Sequence, residues 1–129
     1  MRAIDTNVIV RFLTADDEKQ ARAARAAVAA GDIFVPLTVV LESEWVLRSG
    51  YGFDSWQIAT GLSGLAGLPG LSVEEPTLLA TAIDWMRGGI DFADALHLAK
   101  AEGCSAFLSF DKKLAKAAKG RSGLPVEAP

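Results

Sequence analysis

Cysteine is nearly missing from this chain, with Cys104 the only one in 129 residues. No disulfide can close within it, so nothing asks for an oxidising compartment and a reduced cytoplasm is the expected location. With no base partner evident, Cys104 reads as a small buried residue. Histidine is as scarce. His97 stands alone, with no second histidine or cysteine near it to build a zinc centre, and reads as a surface or packed residue. No apolar run approaches the roughly 20 residues that cross a bilayer, and Met1 to Leu13 lack the long apolar core and cleavage site of a secretion signal. A soluble chain without a membrane partner is expected. There is no Gly-x-x-x-x-Gly-Lys loop to cradle a nucleotide and no Gly-x-Ser-x-Gly elbow to present a nucleophilic serine. A broad basic field is missing too. The net charge is −3 and the isoelectric point is near 5.1, so a polyanionic partner must be held by local patches or through metal.

What is present is globular. Half of the residues are apolar and 22% are charged, a composition that supports one domain spanning residues 1–129. Ala3-Ile4 reads as a strand that stops at Asp5-Thr6-Asn7, residue types suited to starting a helix, which Val8 to Leu13 continue. Asp16 or Asp17 caps a helix through Ala30. Ile33-Phe34-Val35 is a second strand ended by Pro36, and Thr38 caps a helix over Val39 to Arg48. A helix from Asp54 or Ser55 to about Leu65, a strand at Leu71 to Val73 and a helix from Pro76 to Met86 follow. Asp91 or Phe92 then opens a helix to Glu102, Ser105 to Leu108 is a strand, Asp111 opens a helix to Lys119, and Leu124-Pro125-Val126 makes an edge strand. Strands alternating with helices predict a three-layer α/β/α domain around a mainly parallel sheet of four or five strands.

Four carboxylates, Asp5, Glu42, Asp94 and Asp111, fall in locally apolar sequence with little cationic compensation. Each has a plain reading. Asp5 and Asp111 suit N-caps at strand-to-helix junctions, and Asp94 suits the first turn of a helix that Asp91 caps. Glu42 shares a helix with Glu44, but Glu44 faces Arg48 four residues on and reads as a solvated ion pair, whereas Glu42 lies between Trp45 and Val46 with no cation one turn away. Topology favours a joint task, because ligands of such sheets gather beyond the strands' carboxyl ends, where Asp5 and Asp111 emerge. Four carboxylates about 6 Å apart would repel by roughly 3 kcal/mol per pair at an effective dielectric near 20, so protons or cations must enter. All-oxygen ligands favour Mg²⁺ or Mn²⁺ and point to phosphoryl transfer by metal-activated water. Lys112, Lys116 and Lys119, with Lys113 and Arg121 beside them, make a basic face that is either merely solvated or holds phosphates flanking the scissile one. Arg11, Arg22, Arg25 and Arg48 are further candidate contacts.

Ile4-Asp5-Thr6-Asn7-Val8, then Pro36 to Glu42 running into Trp45-Val46-Leu47-Arg48, then Asp91-Phe92-Ala93-Asp94-Ala95, then Leu108-Ser109-Phe110-Asp111 resemble, in order and spacing, the successive motifs of PIN-domain ribonucleases of the VapC toxin type. The resemblance implies a metal-dependent endoribonuclease of a toxin–antitoxin pair acting on structured RNA, with Asp5, Glu42, Asp94 and Asp111 as its acidic quartet. It implies Asn7 and Ser109 as supporting polar residues, a homodimer, and inhibition by a VapB-type antitoxin. Under it, Asp5, Glu42 and Asp94 hold the principal Mg²⁺ or Mn²⁺ and Asp111 completes the outer site. Two other classes remain open. A non-catalytic module would bind metal or a partner through these acids and the apolar segments Val39 to Leu47 and Leu78 to Met86. A phosphatase or receiver-like domain also carries strand-end acids, but Asp5-Thr6-Asn7 lacks the second aspartate of a phosphatase pair.

Overall fold

The computed structural model describes all residues from Met1 to Pro129, with seven helices, five strands and only parallel strand pairs. The chain divides into two compact units, Met1–Pro76 and Thr77–Pro129. The strands follow the same division, three in the first unit and two in the second.

In the first unit, β1 (Arg2–Ala3), β2 (Ile33–Val35) and β3 (Leu71–Val73) form a sheet in the order β1-β2-β3. Helices α1 (Thr6–Thr14), α2 (Glu18–Ala29), α3 (Leu37–Ser49) and α4 (Ser55–Ala66) connect them. Ile33 and Val35 are buried on the sheet, and Ile9, Val10, Val40, Leu47, Ile58 and Leu62 bury one stripe of each of α1, α3 and α4, the spacing by which an amphipathic helix joins a core. Asp17 caps α2, and Asp54 caps α4 in a reciprocal capping box with Gln57. The start of α3 differs from the sequence expectation. Thr38 is inside the first turn, Pro36 occupies the cap position, and the orphan N–H of Leu37 is satisfied at 2.8 Å by the carboxylate of Glu74, just beyond β3. Proline presets the extended backbone of the cap, and a distant acid supplies the acceptor.

Gly70 enters β3 with φ +77°, and its carbonyl accepts from Ile33 N–H at 2.9 Å. A Cβ there would stand 2.9 Å from the Cα of Gly31, against backbone that cannot swing aside. Gly52 has a similar φ of +72° but open space around it. Gly70→Ala is therefore expected to lower stability by about 2–3 kcal/mol, of which Gly52→Ala shares only the left-handed strain of about 1–2 kcal/mol. Equal denaturation midpoints for the two variants would contradict the close approach.

In the second unit, α5 (Pro76–Arg87), α6 (Phe92–Lys100) and α7 (Lys112–Ala118) accompany the parallel pair β4 (Phe107–Leu108) and β5 (Val126–Glu127). Leu79, Ala82, Ile83 and Met86 are buried along α5, so the apolar segment Leu78 to Met86 is core and not an open interface. Helix α6 stops at Lys100, short of Glu102, because the chain turns through Ala101 and reaches Gly103 at φ +93°. Cys104, beyond that turn, is exposed, contrary to expectation. The last strand is Val126–Glu127, one residue past Pro125, whose carbonyl accepts from Phe107 N–H. No helix is long and apolar enough to cross a membrane.

Candidate active site

The first unit brings Asp5 and Glu42 to one residue, Thr6, Asp5 at its backbone N–H and Glu42 at its hydroxyl. Strand β1 delivers the chain to Asp5, whose extended backbone makes it the N-cap of α1, its carboxylate accepting from Thr6 N–H at 2.8 Å. The Thr6 side chain is buried and donates through Oγ1 to Glu42 Oε1 on α3. Sequence reasoning selected Glu42 over Glu44 but overlooked Thr6, whose only signal was a hydroxyl between two cap-type residues. Asn7 is exposed beside it.

Glu44 corrects the sequence reading in one respect. It pairs with Arg48, with Nε at 2.9 Å from its carboxylate, yet it is 3% exposed and so buried rather than solvated. Arg11 is also occupied internally, held by Asp16, Gln20 and Tyr51. The Tyr51 hydroxyl, then Thr14 and Arg11, hold the Asp16 carboxyl down at about 2 against the opposing effect of burial. These contacts clamp α1 to the start of α2 and to the α3–α4 turn. Arg11 and Arg48 are accordingly engaged with the protein's own carboxylates.

The second unit gathers the other acids. Asp91 caps α6, accepting from Asp94 N–H at 3.2 Å. Asp94, one turn in, is half-buried, and its carboxyl is pushed up from the ordinary 3.8 first by burial and then by the charges of Asp91 and Asp111, with His97 opposing them. Asp111 caps α7, accepting from Lys113 N–H at 2.9 Å and Leu114 N–H at 3.0 Å. Its own N–H donates to Ser109 Oγ at 3.0 Å, so Ser109 sets the backbone that aims this acid. Asp91 caps the helix as the sequence suggested and, in addition, crowds Asp94.

Only Asp94 fits the expectation of a carboxylate removed from water. Asp5, Glu42 and Asp111 are exposed, Asp5 and Asp111 as N-caps at helix starts. Within the units the acids form two pairs, Asp5 with Glu42 and Asp94 with Asp111, and no group of three or more carboxylate, imidazole or thiol side chains stands in metal-holding geometry. The donor chemistry of each pair, oxygen alone, is that of a hard cation such as Mg²⁺ or Mn²⁺. Lys112, Lys113, Lys116 and Lys119 are exposed and enter none of the ion pairs. Helix α7 ends at Ala118, which leaves Lys119 in extended backbone at its C-cap.

The family model for the PIN domain matches residues 3–120, nearly the whole chain and all four acids. The chain belongs to the PIN domain family. No curated protein and no solved structure matches it. PIN domains are generally nucleases that use divalent metal ions, and a PIN domain's chemistry is that which the two acid pairs can serve: binding a cation and, through it, a phosphodiester.

Proposed function

We propose that this PIN domain, a single domain over residues 1–129, is a Mg²⁺- or Mn²⁺-dependent endoribonuclease and the toxin of a VapBC-type pair. The observation that carries the reading is the crowding of Asp94 by Asp91 and Asp111 in a chain of nuclease family, a concentration of negative charge that a cation would relieve. In this reading Asp5, Glu42 and Asp94 hold the ion directly or through water, and Asp111 completes the outer site. When bound, the ion would orient the phosphodiester, lower the pKa of the attacking water and stabilise the leaving oxygen. Thr6 fixes the rotamer of Glu42, and Ser109 positions Asp111, with Asn7 as a further polar support. Lys112, Lys116 and Lys119 hold the phosphates on either side of the cut. A homodimer in the cytoplasm, silenced by a VapB-type antitoxin, completes the proposal.

The test is cleavage of transfer and ribosomal RNA by the purified chain with Mg²⁺ or Mn²⁺ and after chelation, followed by sequencing of the new 5′ ends. Internal cuts at defined positions that vanish on chelation are expected. Cleavage indifferent to chelator would reject the mechanism. A second reading, a non-catalytic module that binds metal or a partner, is favoured by one observation, the lack of three converging ligands. It predicts metal binding by calorimetry with no RNA cut under any condition. A neighbouring reading frame encoding a small DNA-binding protein with an arginine-bearing tail would support the toxin assignment.

A further inference from the structure

Phe110 is 83% exposed, more than any other large apolar side chain described as exposed, while Phe92 in the same unit is 1% exposed. The ring is not on a slack loop. Before it, Ser109 N–H donates to the Glu127 carbonyl at 2.9 Å, extending the β4–β5 ladder by one bond. After it, Asp111 N–H is bound to Ser109 Oγ, and the Asp111 carboxylate caps α7. The backbone on both sides of Phe110 is thus fixed, and the ring is presented to solvent immediately beside an acid of the proposed site. Leu108, the last residue of β4 and two residues before the bend at Phe110, is also exposed, at 61%. The patch ends there. Lys112, Lys113 and Lys116 follow, exposed and outside every ion pair.

An exposed aromatic ring on fixed backbone, followed in the chain by exposed lysines, is the combination with which proteins hold unpaired nucleotides: the ring face takes a base, and the cations take the neighbouring phosphates. A protein partner would ask for a broader apolar surface than one leucine and one phenylalanine, and the surrounding positive charge on a net-acidic chain favours a polyanion. We propose that Phe110 stacks on an unpaired base of the RNA adjoining the bond to be cut, with Leu108 against the base edge and Lys112 and Lys113 on the flanking phosphates. The inference rests on the nuclease reading and narrows it. The substrate must offer a looped-out or single-stranded nucleotide at the site, and the choice among bases is loose because every base has a face to stack.

The experiment measures binding of a labelled single-stranded oligoribonucleotide of about ten residues by fluorescence anisotropy, with Asp5→Asn present throughout so that the RNA stays intact. Phe110→Ala is expected to raise Kd roughly 10–100-fold. Phe110→Tyr and Phe110→Trp should restore affinity, and Phe110→Leu should not, which separates stacking from mere apolar contact. An oligomer made abasic at every position should bind the parent and Phe110→Ala alike. An unchanged Kd in Phe110→Ala, rescue by leucine as good as by tyrosine, or an equal loss with the abasic oligomer would overturn the assignment. So would a drop in sedimenting mass of Phe110→Ala with RNA affinity intact, which would give the ring to a protein interface. Kinetics on the chain without the Asp5 substitution distinguish the two levels. RNA cutting with the same KM in Phe110→Ala rejects the stacking and leaves the nuclease reading standing, whereas no cutting rejects the nuclease reading and leaves the binding series to judge the ring.

Discussion

Asp94→Asn is expected to remove RNA cleavage, by roughly 10³-fold or more in kcat, and at the same time to raise the melting temperature at neutral pH. The two effects share one cause. Burial, Asp91 and Asp111 push the Asp94 carboxyl above its ordinary value of 3.8, so the fold favours the protonated acid. The stability this group contributes is fully present below the unfolded value and is lost as pH rises through the folded one. Ionisation of Asp94 as pH rises works against that preference, and a neutral amide of the same shape relieves it. The stability gain of the variant should therefore shrink as pH falls and vanish below 3.8, and added Mg²⁺ should narrow it from the other side by stabilising the unsubstituted chain. Asp5→Asn provides a second arm. Its amide oxygen still caps α1, so the chain should stay folded while cleavage is lost to a similar degree. Calorimetry at two pH values and single-turnover kinetics measure both effects; an asparagine variant at position 94 that melts lower at pH 7, or that cuts at the normal rate, contradicts this account.

The second large effect concerns stability alone. Glu44 is buried, with its side chain 4% exposed, and Arg48, 46% exposed, supplies Nε at 2.9 Å and Nη2 at 3.4 Å. Arg48→Met keeps the apolar stem and removes the charge, which leaves a carboxylate out of water without its cation. Breaking a fully buried pair costs about 3–5 kcal/mol, and the half-solvated guanidinium places this one lower, at about 2–4 kcal/mol. Replacing both partners, Glu44→Met with Arg48→Met, removes the stranded charge and should recover most of the loss. A denaturation midpoint unchanged in Arg48→Met would show that the pair holds nothing, and a double variant worse than the single would show that packing rather than charge governs the site.

The two residues Glu42 and Glu44 mark how far sequence reasoning reached. Helical rotation alone separated them correctly by partner, Glu44 toward Arg48 and Glu42 away from it, because a four-residue offset on one helix is a local fact. It could not say which was buried. That depends on which side of α3 meets the rest of its unit, and the structure buries Glu44 and opens Glu42. The same limit explains Cys104, which a turn after α6 carries to the surface, and the start of α3, whose cap comes from Glu74, 37 residues downstream of Leu37. Asp17, Asp54, Asp91 and Asp111 were readable as helix caps since a cap bonds to N–H groups two or three residues away. Thr6 escaped notice because its partner, Glu42, is 36 residues distant.

By itself the sequence determined the alternation of short strands and helices, the caps at their junctions and the ordered acid motifs by which the PIN family is recognised. All of these act over a few residues, where backbone geometry and side-chain chemistry leave little choice. Tertiary structure alone decided that Glu42 meets the Thr6 hydroxyl beside Asp5, that Asp94 feels Asp111, and that Phe110 stands in solvent. Those outcomes depend on which surfaces of distant segments are pressed together and which are left to water, and burial and Coulomb interaction act on distance in space, whatever the separation along the chain.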